Sequence, residues 1–244
     1  MAQGKDRMFF DDHPEFLETS HTAATKGRLN LRHLAIIKEN ETILRGRSVV
    51  DIASHDGRWS YAALEAGATR VIGIEGRPRL VETAKRTLAA KGVPESRYRM
   101  IVGDVHSRIL GPDVVGDVVM CLGFLYHTAR YVELMAGIRS TGAEYVIVDT
   151  RVLRNAKRPV VELRTESTFG QALAIRDRFA LDGRVISAVP SEAAVVLMLE
   201  AAGYDVDHRT DWSGLLAQHP GARAVRQYAD GRRVTFRAKK RSTR

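Results

Sequence analysis

The chain has 244 residues, with 38 Lys plus Arg against 29 Asp plus Glu, a formal net charge of +9, and 44% hydrophobic and 7% aromatic residues. One generous α/β domain of roughly 200 to 250 residues fits this length, whereas two large domains do not. Cys121 is the sole cysteine, which excludes an intramolecular disulfide framework and a cysteine-cluster zinc site and points to a reducing, cytoplasmic setting.

The start, residues 1–12, is polar and soon acidic, and the longest apolar run, residues 118–126, is far too short to span a bilayer. The expectation is a soluble, unanchored protein. Five of the surplus charges come from Arg237, Lys239, Lys240, Arg241 and Arg244, a basic tail expected to fray, and without them the body carries +4. No aromatic-interleaved basic motif accompanies the charge, so it is a weak warrant for a nucleic-acid partner, which it also does not exclude.

In chain order, residues 9–45 lack period-2 alternation, and Leu29, Leu31, Leu34, Ile36, Ile37 and Leu44 fit helical faces interrupted at Asn40. A helical lead-in over 1–46 follows. From Ser48 short apolar runs alternate with loops and helix-like stretches, the order of parallel strands joined by crossovers. The spacing predicts a strand at 48–53, a loop at 54–57 and a helix to about 66. It then predicts a strand at 70–75 and a helix at 78–91 that opens on Pro78 and closes at Gly92. Strands at 98–102, 117–122 and 144–148 follow, with a helix at 130–139 between the last two. Five strands in βα order imply a doubly wound α/β sheet. Residues 149–189 lose the rhythm and carry eight arginines or lysines, and read as an insertion over the active face. A helix at 191–202 with Ser191 as N-cap and strands at 204–208 and 233–238 close the chain.

Ligands of open α/β sheets bind beyond the carboxyl ends of the strands. The first strand leads into Asp51-Ile52-Ala53-Ser54-His55-Asp56-Gly57, where a small residue and a glycine permit a tight turn and close approach of backbone to a ligand. The second strand ends in Glu75, placed to accept hydrogen bonds from ribose hydroxyls, and the third runs into Gly103-Asp104, where an acid can accept from the exocyclic amine of adenine. Three successive strand ends thus suit one adenosine-containing ligand. Spacing alone does not separate this from a nicotinamide-binding fold.

Asp51-x-Ala53-x-His55-x-Gly57, Glu75 and Gly103-Asp104 resemble the first three motifs of class I S-adenosylmethionine-dependent methyltransferases, with alanine and histidine standing where two glycines are usual. Leu122-Gly123-Phe124-Leu125-Tyr126-His127, Glu144 to Val148, and Pro190-Ser191-Glu192 are similar to a branch that includes the tRNA wobble-uridine carboxymethyltransferase and actinobacterial sugar O-methyltransferases. The resemblance implies a Rossmann-like sheet of seven strands with the last antiparallel, over 47–244. It implies S-adenosylmethionine as methyl donor, leaving S-adenosylhomocysteine.

It also assigns Asp51 to the methionine-amine side of the cofactor. Ala53, Ser54, Gly57, Glu75, Gly76, Arg77, Asp104, Val105 and Leu122 complete the expected cofactor set, and Trp59 either joins them or packs as core. Arg28, Asn30 and Arg32 either close over the cofactor carboxylate or form a solvated helix face. His127 is the expected catalytic base, since imidazole can take the hydroxyl proton near neutral pH. Tyr126 shares its pocket or is simply buried. His55, Glu162 and Glu166 are the expected acceptor contacts, with space filling (His55) and surface ion pairs (both glutamates) as the plainer readings. The eight histidines show no compact ligand spacing, and a magnesium site around Asp149 is compatible with the sequence but not required by it.

The expected enzyme methylates a hydroxyl of a small-molecule or oligosaccharide acceptor. A tRNA modifier and a noncatalytic cofactor-binding module are the alternatives, and a homodimer remains open.

Overall fold

The computed structural model describes residues 7–19, 26–170, 174–220 and 225–242, so Arg244 of the expected basic tail lies outside them. Short turns at Phe9–Asp11 and Pro14–Leu17 lead into α1 (Lys26–Ile36) and α2 (Glu41–Leu44). Then come β1 (Ser48–Ile52), α3 (Arg58–Glu65), β2 (Arg70–Glu75), α4 (Pro78–Ala90), β3 (Tyr98–Val102), α5 (Val105–Arg108), β4 (Val118–Leu122), α6 (Tyr131–Ser140) and β5 (Tyr145–Arg151). The chain finishes with β6 (Val161–Ser167), β7 (Arg184–Pro190), α7 (Glu192–Ala201), β8 (Tyr204–Arg209), α8 (Trp212–Gln218), α9 (Arg226–Ala229) and β9 (Arg233–Lys240).

Seven strands form one sheet in the order β3-β2-β1-β4-β5-β9-β8. The first five are mutually parallel, and β9 runs antiparallel between β5 and β8. Both faces are covered, so the inner strands are apolar nearly throughout. Val50, Ile52, Ile72, Ile74, Val119 and Cys121 pack on one side against Leu134, Ile138, Val195 and Leu199. Val49, Val71, Val118, Met120 and Ile147 pack on the other against Trp59, Ala84, Leu88 and the lead-in residues Phe10, Phe16, Leu29 and Ile36. The lead-in therefore shares a core with the sheet.

Several expected boundaries move for physical reasons. β1 stops at Ile52 because Ala53 turns into the left-handed region (φ 53°). β5 runs on to Arg151 because Asp149, Thr150 and Arg151 pair with Thr235, Val234 and Arg233 of β9. The insertion contains a hairpin, β6 against β7, with no alternation to betray it because β6 is exposed along almost its whole length. The basic tail does not fray over its described part. Arg237, Lys239 and Lys240 lie within β9, and Arg237, Lys239 and Arg241 pair with Asp207, Glu144 and Asp205. α7 opens as expected on Ser191, whose Oγ accepts from Ala194 N–H. No helix among the described residues is long and apolar enough to cross a membrane.

Candidate active site

A cavity of about 230 Å³ opens at the carboxyl ends of β1 to β4, where the strand order reverses. Its floor is made by the turn after β1, in which Ala53, His55 and Gly57 all adopt positive φ (53°, 55° and 79°). Only glycine enters this region freely, and an L side chain there costs about 1–2 kcal/mol. The glycine-demanding path is therefore present even where alanine and histidine stand. At Gly57 a β-carbon would meet the Ala84 Cβ at 3.0 Å and the Met100 Cε at 3.1 Å, so α3 starts close against α4 and β3.

The turn is locked to the neighbouring strand. The backbone N–H of His55 donates to Glu75 Oε2 (3.0 Å), and Arg77 donates from its backbone N–H (3.0 Å) and Nε (2.8 Å) to Glu75 Oε1. Glu75 thus lines the cavity with a fixed carboxylate, and its ion pair with Arg77 forms as well. At the next strand end Asp104 accepts from Ser107 Oγ (3.0 Å) and Arg130 Nη1 (3.2 Å) and contacts His106 Nδ1 (3.2 Å). Burial opposes ionisation of Asp104, but His106, Ser107 and Arg130 hold its carboxyl well below the usual range. The insertion closes this end. Ile175 packs on Gly76, where a β-carbon would meet its Cδ1 at 2.5 Å, and Asp177 accepts from Arg130 Nη1 (3.1 Å).

Ala53, His55, Trp59, Glu75, Gly76, Arg77, Asp104, Val105, Leu122, Tyr126 and His127 line the cavity, as do Arg28 and Arg32. Trp59 does both things expected of it, since it is also in the core and lies 4.9 Å from the Arg32 guanidinium.

Six other expected residues do not line the cavity. Asp51 does not line the cavity; it is 1% exposed and accepts from Ser60 Oγ (2.7 Å) on α3. Ser54 and Gly57 also lie behind the cavity wall, facing Gly73 and α4 respectively. Asn30 turns away to accept from Phe10 N–H (2.8 Å). Glu162 is exposed on β6, where Arg164 donates to it, so the plainer reading holds. Glu166 is half-buried beneath His127 rather than extended toward an acceptor.

The far end is built around two networks. His127 Nδ1 lies 2.7 Å from Glu166 Oε2. Burial raises the Glu166 pKa, but the bond to His127 together with the positive charge of His127 and Arg151 brings the carboxyl below its ordinary range. A carboxylate can only accept, so Nδ1 carries the hydrogen and Nε2 keeps its lone pair when the ring is neutral. Asp149, fully buried, accepts from Arg32 Nη2 (3.0 Å), Arg233 Nε (2.7 Å) and Nη2, Tyr228 Oη (2.7 Å) and Thr235 Oγ1 (2.9 Å). Every lone pair is committed, which removes Asp149 as a magnesium ligand. No group of three or more His, Cys, Asp or Glu suited to a metal occurs among the described residues. Arg233, Arg130, Thr128 and Asp177 are wall residues that sequence reasoning missed.

The fit to S-adenosylmethionine rests on this geometry. Glu75 is a fixed acceptor at the second strand end, Asp104 an ionised acceptor at the third, and the Nε of Arg32 is buried without a partner among the described residues, which suits the methionine carboxylate.

Residues 49–141 match the family model of a methyltransferase domain. No match to the sequence was found among curated proteins. Among solved structures, an S-adenosylmethionine-dependent methyltransferase from Mesorhizobium loti is 14% identical with a TM-score of 0.57, covering 86% of this chain and 100% of that one. The cyclase SpnF is 17% identical with a TM-score of 0.60, covering 88% and 83%. The N-terminal domain of EvdMO1, solved with S-adenosylhomocysteine and D-fucose, is 16% identical with a TM-score of 0.57, covering 84% and 81%. The matched domain and the shared fold support an S-adenosylmethionine-dependent methyltransferase.

Proposed function

We propose that this enzyme transfers a methyl group to a hydroxyl of a saccharide or sugar-containing metabolite, with His127 as proton acceptor. The observation that carries the reading is the 2.7 Å contact between His127 Nδ1 and Glu166 at the cavity wall. Bound S-adenosylmethionine would supply an electrophilic methyl group on a sulfonium. Glu75 and Asp104 would hold its adenosine portion and Arg32 its carboxylate, with Arg28, Leu29 and Arg32 of the helical lead-in on the cavity wall and 47–244 as the catalytic domain. Glu166 fixes the tautomer and the direction of His127, so that Nε2 accepts the hydroxyl proton as the oxygen becomes nucleophilic. Positioning of the two partners supplies much of the rest. The saccharide choice is supported by the likeness of residues 122–127 and 190–192 to the sugar O-methyltransferase branch and by D-fucose in EvdMO1. A tRNA acceptor is disfavoured because Arg237, Lys239 and Arg241 are already paired.

Methyl transfer from labelled S-adenosylmethionine to a panel of saccharides and small alcohols tests the reading. His127→Ala is expected to lower kcat 10²- to 10⁴-fold, and Glu166→Gln to lower it while changing the pH–rate profile. Cofactor binding by calorimetry with no turnover on any acceptor would favour a noncatalytic module instead.

A further inference from the structure

The charges around the cavity are unevenly matched. At the adenosine end each guanidinium has its own carboxylate or more. Arg77 pairs with Glu75, Arg58 with Asp56 (2.7 Å), and Arg130 with Asp104, Glu133 and Asp177. At the other end Arg28, Arg32 and Arg233 line the wall, and among the described residues the carboxylate that Arg32 and Arg233 reach is Asp149 alone. Its oxygens are saturated. Arg151 adds a further cation, its guanidinium 4.9 Å from the Tyr126 ring centre, with Arg233 at 5.3 Å from the same ring. Glu166 nearby is engaged by His127.

The neighbours register this surplus. Burial and the positive charge of Arg233 draw the Arg28 pKa below its ordinary value. Burial pushes the Tyr126 phenol up, yet Arg233, Arg151 and Arg32 bring it below its ordinary value. Concentrated positive charge in a partly desolvated wall is unfavourable unless a ligand brings the opposite sign. The donor of the proposed reaction brings one carboxylate, assigned above to Arg32 and outweighed by its sulfonium and ammonium, so Arg28, Arg233 and Arg151 stay unmatched. The compensating anion has to arrive with the acceptor.

We propose that the methyl acceptor is acidic, carrying a carboxylate or phosphate close to the hydroxyl that is methylated, and that Arg28 and Arg233 bind this group beside Tyr126 while Arg151 adds long-range attraction. This rests on the methyltransferase reading for the identity of the site, but the anion subsite itself can be tested without turnover. A guanidinium pair suits either anion, because both present two oxygens to its planar fork.

Calorimetry on the full chain saturated with S-adenosylhomocysteine would use glucuronate, glucose 6-phosphate and glucose as probes, at low and high salt. The expected result is at least tenfold tighter binding of one or both anionic probes than of glucose, with the two arms separating carboxylate from phosphate, and weakening at high salt. Arg28→Gln is expected to weaken the anionic probe tenfold or more and leave glucose and S-adenosylhomocysteine within twofold. Arg151→Gln, at an exposed position, is expected to weaken the same probe by a smaller factor. Equal binding of glucose and both anions overturns the proposal. So does an Arg28→Gln variant that loses S-adenosylhomocysteine affinity instead, which would hand this end to the donor's carboxylate. Anion binding that depends on Arg28, without methyl transfer to any probe or panel acceptor, would count against the transferase reading and leave the anion subsite standing.

Discussion

Replacing Asp51 by asparagine removes a carboxyl that the fold holds where charge is costly. Asp51 sits on β1 between β2 and β4, 1% exposed, with one hydrogen bond from Ser60. Burial first, and then the neighbouring carboxylates Glu75 and Asp56, push its pKa from 3.8 to about 7 despite that bond. Between these two values the native protein keeps a proton that the unfolded chain has lost. Stability must therefore fall as pH rises through this window and level off above it. At 1.36 kcal/mol per pH unit the whole window is worth ~4 kcal/mol, and the part between pH 5 and 7.5 about 3 kcal/mol. Asparagine cannot ionise, keeps an acceptor for Ser60, and changes stability by an amount that does not depend on pH. Urea unfolding of both proteins at pH 5 and 7.5 should show the wild type losing about 3 kcal/mol more than Asp51→Asn over that interval. Parallel pH profiles would refute the argument, because the groups shared by both proteins cancel in the comparison.

Asp149→Asn should cost roughly 3–5 kcal/mol in urea unfolding, since it leaves Arg233 and Arg32 buried without their carboxylate; adding Arg233→Met should recover part of the loss, and a lone Asp149→Asn effect under about 1 kcal/mol would contradict the network. Ala53→Gly should stabilise by up to about 1 kcal/mol, the relief of a left-handed alanine less the extra freedom of an unfolded glycine. A fall in its thermal midpoint would mean that the Ala53 methyl contributes packing worth more than the strain.

The elements that carry their own local signal were legible. β2 and β3 fall at the expected residues because each is a short apolar run between turn residues, and α7 begins where Ser191 supplies a cap. The hairpin β6–β7 was not, since Glu162, Arg164 and Leu163 all face solvent and leave no period to read. The strand-end acids show the same division. Glu75 and Asp104 reach the cavity, while Asp51, two positions before the turn, is drawn behind it to Ser60. Partners distant in sequence were beyond reach. The Arg32 to Asp149 and Asp149 to Arg233 contacts span 117 and 84 positions, and only the placement of β9 beside β5 brings Asp149 and Arg233 together.

The turn after β1 shows why a weakened sequence signature need not mean a weakened site. Nothing in strand or helix formation requires three left-handed residues at 53, 55 and 57, and the two that are not glycine raise the energy of the fold. What holds them is the surroundings. Glu75 accepts from the His55 N–H, Arg58 donates from Nε and Nη2 (both 2.7 Å) to the two oxygens of Asp56 in a bidentate ion pair, and His55 Nδ1 lies 3.3 Å from Arg58 Nη2. Arg58 and Asp56 are almost fully buried, so the clamp is stiff. Strain that persists only because its neighbours enforce it marks a path useful to a ligand rather than to folding. The same clamp sets His55 on the cavity wall, so the histidine that breaks the glycine pattern is also a side chain any occupant must meet.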